Sequence, residues 1–177
     1  GIRVRAMPWV LWIGVAVGLF FGVVVFFGAP YLPTLSPQIT TALDLLNLKP
    51  GQTLLELGCG DGKVLLVAAR RGYNAVGIEL NPILASIAWL RTRRYRGQVR
   101  VVWGNYWLKE WPMSDGVYTF LIDRFMVKLD QRMQHYGGKL VSVAFQVPGR
   151  RHSAKGHGVY LYDYGKGLAH KTASRVP

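Results

Sequence analysis

Hydrophobic and polar positions divide this chain into two unlike parts. From Ala6 to Ala29 the run AMPWVLWIGVAVGLFFGVVVFFGA contains no charged residue. About 20 apolar residues suffice to cross a bilayer core, and a buried core helix of that length usually keeps one polar face. The run is long for a secretory signal peptide, and no small-x-small cleavage pattern follows it. It reads as a retained, single-pass membrane helix over about residues 7–29, with Trp9, Trp12 and Tyr31 placed where aromatic rings favour the interface. Gly14, Gly18 and Gly22 recur every four residues and share one helix face. That small-xxx-small spacing lets two helices approach closely and raises a homodimer as an expectation.

Beyond the apolar run the pattern alternates. Gly28–Gln38 carries Pro30, Pro33 and Pro37 and reads as a linker. A helix is predicted over 37–48, with Ile39, Leu43 and Leu46 on one side. Short apolar runs predict strands over Thr53–Leu57, Ala75–Ile78, Val99–Trp103, Val117–Ile122, Leu140–Phe145 and Val159–Tyr164. Helical stretches lie between them: Lys63–Arg71 stopped by Gly72, a helix capped by Asn81-Pro82 that runs to about Tyr95, and Arg124–Tyr136 closed by Gly137-Gly138. Strand-helix alternation predicts an α/β domain, a Rossmann-like, doubly wound, mostly parallel sheet behind one N-terminal transmembrane helix. The organisation expected is residues 1–30 as membrane anchor, 31–50 as linker and lead-in helix, 51–165 as the ligand-binding domain, and 166–177 as a basic, disordered tail.

The chemistry is concentrated in one turn, Glu56-Leu-Gly58-Cys59-Gly60-Asp61-Gly62-Lys63, between the first strand and its helix. A P-loop would need Gly-Lys-Ser/Thr, but Val64 follows Lys63. A dinucleotide fingerprint starting at Gly58 and Gly60 would need glycine at 63, where lysine stands. Glu56 and Asp61 would also repel a pyrophosphate. The same acids suit a cationic ligand bearing an ammonium and a sulfonium, and the glycines allow close backbone approach. Glu79 ends the second strand, where a carboxylate accepts hydrogen bonds from ribose hydroxyls. Cys59 is the single cysteine, so no intrachain disulfide can form and a reducing compartment is expected. No Cys/His spacing suits a metal.

These motifs resemble the class I S-adenosylmethionine (SAM)-dependent methyltransferases. The resemblance implies that Gly58, Gly60 and Gly62 back the methionine part of SAM, that Glu56 and Asp61 handle its amino group, that Glu79 holds the ribose, and that Cys59 and Leu80 also line the cofactor site. It implies that Asn105 and Tyr106 meet the adenine, with an amide where the family often has an acid. The apolar helix, then YLPTLSPQ, the glycine turn with ELNP, and NYW are similar to one subgroup. These are the membrane-anchored protein lysine methyltransferases of the adenine nucleotide translocase and ATP synthase c-subunit, with their prokaryotic relatives. On that resemblance Tyr31, Pro33 and Gln38 line or close the methyl-donor pocket, and Asp123 of FLIDRF stands at the acceptor site. Asp123 could equally cap the helix that follows it.

The function expected is therefore SAM-dependent transfer of a methyl group to a lysine of a membrane or membrane-adjacent protein, yielding S-adenosylhomocysteine and using no metal. A phospholipid or small lipophilic amine acceptor is the alternative, and a non-catalytic SAM-binding protein a third. The charge balance adds one partner. With 22 Lys+Arg against 9 Asp+Glu, the formal charge is +13. Arg91, Arg93, Arg94 and Arg96 cluster in WLRTRRYRGQVR, and the membrane helix favours anionic headgroups over nucleic acid as their partner. SAM is made inside cells, so the domain is expected on the SAM-containing, cytoplasmic or matrix-like side of the membrane.

Overall fold

The computed structural model describes residues 8–27 and 36–165. Two units separate between Pro30 and Tyr31. The first holds helix α1, Pro8–Phe27. Its described side chains, Trp9 to Leu19, are all exposed. Over what is described, no helix is long and apolar enough to cross a membrane. The expected span is thus observed as an uncharged helix, and a membrane crossing is not shown. Gly14 and Gly18 have open space beside their Cα atoms. Tyr31, Pro33 and the tail 166–177 lie outside the described residues.

The second unit is a seven-stranded sheet with helices on both faces. In chain order its elements are α2 (Ser36–Leu46), β1 (Thr53–Leu57), α3 (Lys63–Arg70), β2 (Asn74–Glu79), α4 (Pro82–Thr92), β3 (Val99–Trp103), β4 (Gly116–Thr119), α5 (Met126–Tyr136), β5 (Lys139–Val143), β6 (Ala154–Gly156) and β7 (Val159–Asp163). The strand order is β3-β2-β1-β4-β5-β7-β6. The first five strands run parallel, while β7 runs antiparallel to β5 and to β6. The order reverses at β1, and in such sheets ligands bind beyond the carboxyl ends of the strands at that switch.

Alternation along the strands divides the core between two faces. On one face Leu54, Ala75 and Tyr118 meet Ile39, Leu43 and Leu46 of α2, Leu65 and Ala68 of α3, and Ala88 of α4. Helix α2 is therefore part of the domain core as well as its lead-in. On the other face Leu55, Leu57, Ile78 and Val117 meet Met126, Leu129 and Met133 of α5 and the ring of Trp111. No helix follows β3; residues 104–115 form a loop. Arg132 of α5 takes over part of a helix's role by donating to the carbonyls of Tyr106 and Trp107, each at 2.9 Å, and to that of Lys109. Its guanidinium also stacks 4.2 Å from the Trp111 ring centre.

The structure changes several expected boundaries. Strand β4 ends at Thr119, where its pairing with Leu57 of β1 and Ser142 of β5 stops, not at Ile122. Residues Asp123–Phe125 and Arg93–Tyr95 are 3-10 turns, so α5 starts and α4 ends about one turn inside the predicted helices. A seventh strand, β6, joins the six predicted. It is three residues long and exists through its pairing with β7.

Candidate functional site

Glu56, the turn Gly58–Gly62, Glu79 and Leu80 come together at the carboxyl ends of β1 and β2. The glycine turn is tied to β2 by the N–H groups of Gly58 and Cys59, which donate to the Ile78 carbonyl at 2.8 and 3.2 Å. Gly62 opens α3 with φ +77°, a left-handed conformation that favours glycine. A Cβ there would stand 2.8 Å from the Ala88 Cβ and 2.9 Å from its Cα, so Gly62 also sets the close approach of α3 to α4. Cys59 packs inward: Gly77 leaves the room its side chain fills, since a Cβ at 77 would fall 2.7 Å from the Cys59 sulfur. Burial, followed by the charges of Glu56 and Glu79, pushes its thiol well above the usual range, so it packs and does not act as a nucleophile.

Glu79 is buried, and its carboxylate bridges two backbone donors. Oε2 accepts from Gly60 N and Oε1 from Asn81 N, both at 2.8 Å. A carboxylate has about four lone-pair sites, so each oxygen keeps one for a ligand hydroxyl. Asn81 then caps α4 by accepting from Ile83 N at 2.9 Å and Leu84 N at 3.4 Å, with Pro82 in the first turn. Glu56 is 4% exposed, and its Oε2 has no hydrogen-bond partner. Burial raises its carboxyl well above the ordinary value, and the neighbouring Glu79 and Asp61 raise it further. Asp61 is partly compensated, because Arg91 pairs with its Oδ2 at 2.6 Å. Sequence assigned Arg91 to the basic face; the structure gives it to the glycine turn.

The loop after β3 supplies the next wall. The Asn105 Oδ1 accepts from Trp107 N at 2.8 Å and closes an Asx turn. The Tyr106 ring lies 3.9 Å from where a Gly58 Cβ would be, over the glycine turn. Its phenol is buried, and desolvation, with Glu79 nearby, keeps it protonated well beyond the usual range. Trp107 follows, its ring 5.0 Å from that of Tyr106 and 6.0 Å from that of Phe125. Leu80 is half-buried and its carbonyl accepts from the Trp103 indole at 3.0 Å.

Two predicted residues lie elsewhere. Gln38 of α2 donates to the His157 carbonyl at 3.5 Å, tying α2 to the β6–β7 turn and not to the glycine turn. Asp123 is exposed at the first position of its 3-10 turn. Neither that turn nor α5 has a side-chain cap hydrogen bond, so Asp123 is not a cap.

Besides Glu56, Thr119 Oγ1 is a buried side-chain atom without a hydrogen-bond partner, whereas the buried Tyr106 phenol and the Trp107 indole interact with each other. Thr119 is the last residue of β4, beside the end of β1. Buried polar groups are nearly always paired, and the orphans Glu56 Oε2 and Thr119 Oγ1, at the same end of neighbouring strands, mark a place where a ligand completes them. Thr119 and Arg132 were not foreseen; their roles depend on strand register and on a loop-helix contact. The residues present suit a ligand with a cationic amino-acid end and a ribose: buried carboxylates meet the cation, and Glu79 meets vicinal hydroxyls. Among the described residues no group of His, Cys, Asp and Glu could hold a metal ion.

A family model described as the ANTKMT methyltransferase domain matches residues 56–154. The human lysine N-methyltransferase of the ATP synthase c-subunit is 28% identical over 109 residues, covering 59% of this chain and 46% of that protein. A protein-lysine N-methyltransferase of Saccharolobus islandicus is 27% identical over 154 residues, 77% of this chain and 94% of the relative. The chain spans about half the length of the mammalian relatives it matches. Among solved structures, an RNA methyltransferase from Salinibacter ruber in complex with S-adenosyl-L-homocysteine superposes with a TM-score of 0.71, covering 76% of this chain and 95% of that one. At 24% identity that likeness concerns the fold.

Proposed function

The chain belongs to the ANTKMT methyltransferase family, and from that premise we propose that it is a SAM-dependent methyltransferase acting on the ε-amino group of a lysine in a membrane or membrane-adjacent protein. The observation that carries the proposal is the buried carboxylate pair at the glycine turn. Glu56 has an unpartnered oxygen, and Glu79 bridges the turn to α4. A buried carboxyl with an unpartnered oxygen, beside a second buried acid, suits a cation placed at that oxygen. Lysine as acceptor is supported by the names of the human and archaeal relatives. Membrane attachment is supported by the uncharged 20-residue helix Pro8–Phe27, with the domain on the SAM-containing side. Pairing of two chains through Gly14, Gly18 and Gly22 belongs to the same proposal.

In this reading Glu56 and the backbone of Gly58–Gly62 hold the methionine end, Glu79 the ribose, and Asn105 with Tyr106 the adenine. SAM supplies a methyl group already activated on its sulfonium, so the protein's share is orientation and desolvation. Thr119 Oγ1, buried and unpartnered at the end of β4, is the group assigned in this reading to the incoming lysine. That lysine reacts as the neutral amine; its nitrogen bonds the methyl carbon as the sulfur-carbon bond breaks. Asp123, exposed beside the end of β4, takes up the proton directly or through water.

The test is transfer of tritium from labelled SAM into native membranes, separated into protein and lipid fractions, with carbonate extraction reporting attachment of the full chain. Label in a lysine of a membrane protein is the expected result. Label only in lipid would replace the protein acceptor by a phospholipid or lipophilic amine. Label nowhere, with SAM binding intact, would make this a binding protein.

A further inference from the structure

Helix α4 is built inside out. Its inward positions are small or capped: Ala85, Ala88 and Thr92 are buried, and Ala88 sits against Gly62. Its outward positions are large and apolar, with Ile83 56%, Trp89 60% and Leu90 52% exposed and Ile87 also in solvent. Ile83, Ile87 and Leu90 follow i, i+4, i+7 and make one stripe, with Trp89 beside it. The stripe continues across to the edge strand β3, where Trp103 is 65% exposed. That ring is not loose, because its indole N–H is bonded to Leu80 O at 3.0 Å. Between Pro82, Trp89 and Leu90 on one side and Val101 and Trp103 on the other runs an open groove of about 440 Å³.

The rim of this apolar face is cationic. No acidic residue occurs from Leu80 to Lys109. With Arg91 committed to Asp61, the exposed arginines that remain are Arg93, Arg94, Arg96 and Arg100. None of these four has an ion-pair partner among the described residues.

We propose that the outer face of α4, with Trp103 and this arginine rim, docks on an anionic lipid bilayer, with α4 lying in the plane of the interface. Helices that lie this way bury an apolar face about 5–10 Å into the headgroup boundary beside basic residues. Trp prefers that depth, and each nearby arginine strengthens partition to anionic lipid by about fivefold. A second copy of the chain is disfavoured as the occupant, because a two-fold contact through this face would bring the two arginine clusters together. The proposal goes beyond methyl transfer and stands without it. Where methyl transfer holds, docking sets the glycine turn at the membrane surface, since the α4 cap residue Asn81 is bonded to Glu79.

The experiment uses the full chain in vesicles of phosphatidylcholine, with and without about a third phosphatidylglycerol. A nitroxide on Ile87→Cys, in a Cys59→Ala background, reports depth by power-saturation spin resonance. A nitroxide on Lys155→Cys of β6, at the opposite sheet edge, controls for attachment through any other part of the chain. The Ile87 label should become oxygen-accessible and shielded from a water-soluble nickel complex in the anionic vesicles only, and the Lys155 label should stay aqueous in both. R93Q/R94Q/R96Q should cut the docked fraction at least tenfold. Hydrogen exchange on the unmodified chain repeats the test without substitution: peptides over 82–92 should slow in anionic vesicles, and those over 126–136 should not. An aqueous Ile87 label, or no slowing over 82–92, would overturn the proposal. So would shielding that is equal in both vesicle types and accompanied by spin-spin broadening, which would mean a second copy covers the face.

Discussion

Cofactor binding should release a proton from Glu56. The carboxyl is buried at 4% exposure beside Glu79 and Asp61, and without a cation it is held in the acid form well above its ordinary value of 4.5. An ammonium placed at the unpartnered Oε2 favours the carboxylate and returns the value downward. Binding is then coupled to loss of up to one proton. Affinity should rise by up to tenfold per pH unit, equivalent to about 1.36 kcal/mol. The rise flattens once the raised carboxyl has ionised in the free protein, well above 4.5. S-adenosylhomocysteine is the appropriate ligand, since it keeps the ammonium and lacks the sulfonium. Calorimetry in buffers of different ionisation heat counts the protons directly. Glu56→Gln should abolish the release and the slope, and weaken binding by the value of one charge-assisted hydrogen bond, about 1.5–3 kcal/mol or roughly ten- to hundredfold. Stability follows the same linkage. The free protein binds the extra proton when folded, so its stability falls as pH rises from 4.5 through the raised value, and ligand should restore it most at the upper end. Binding that is pH-independent in both proteins, with no proton released, would refute the placement of the cation at Glu56.

Three further outcomes are expected. Glu79→Ala leaves Gly60 N and Asn81 N without their acceptor, so denaturant unfolding should show a loss of roughly 2–4 kcal/mol and ligand affinity should drop by more than tenfold. Arg132→Ala removes the donor to three loop carbonyls. Hydrogen exchange over 105–111 should quicken markedly, with roughly 2–4 kcal/mol of stability lost, whereas exchange in β1 and β2 stays as it was. Gly62→Ala should cost roughly 2–4 kcal/mol, through a left-handed backbone and a contact with the Ala88 backbone that cannot give way; Gly97→Ala, with open space around it, should be near neutral in the same thermal melt.

The turn Glu56–Lys63, the acid at Glu79 and the Asn81 cap were legible in the chain itself, because each is a local device. Glycines in a row mark a backbone that must turn tightly, and an acid at the end of an apolar run marks a strand carboxyl end. Strand-helix alternation and the parallel sheet follow from the same short-range periods. What sequence could not settle is who stands beside whom. Arg91 reads as one more surface arginine until α4 folds back and sets it 2.6 Å from Asp61. Arg132 reads as a helix-face cation until the loop after β3, which has no helix, lies against α5. Strand β6 has no hydrophobic period of its own and exists only because β7 offers an edge. The chain marks α4 as a helix but not which of its faces is covered: the small side chains face inward and the large ones face out. Burial is decided by which face the sheet and α3 occupy, and that is a property of tertiary packing, which no local pattern encodes.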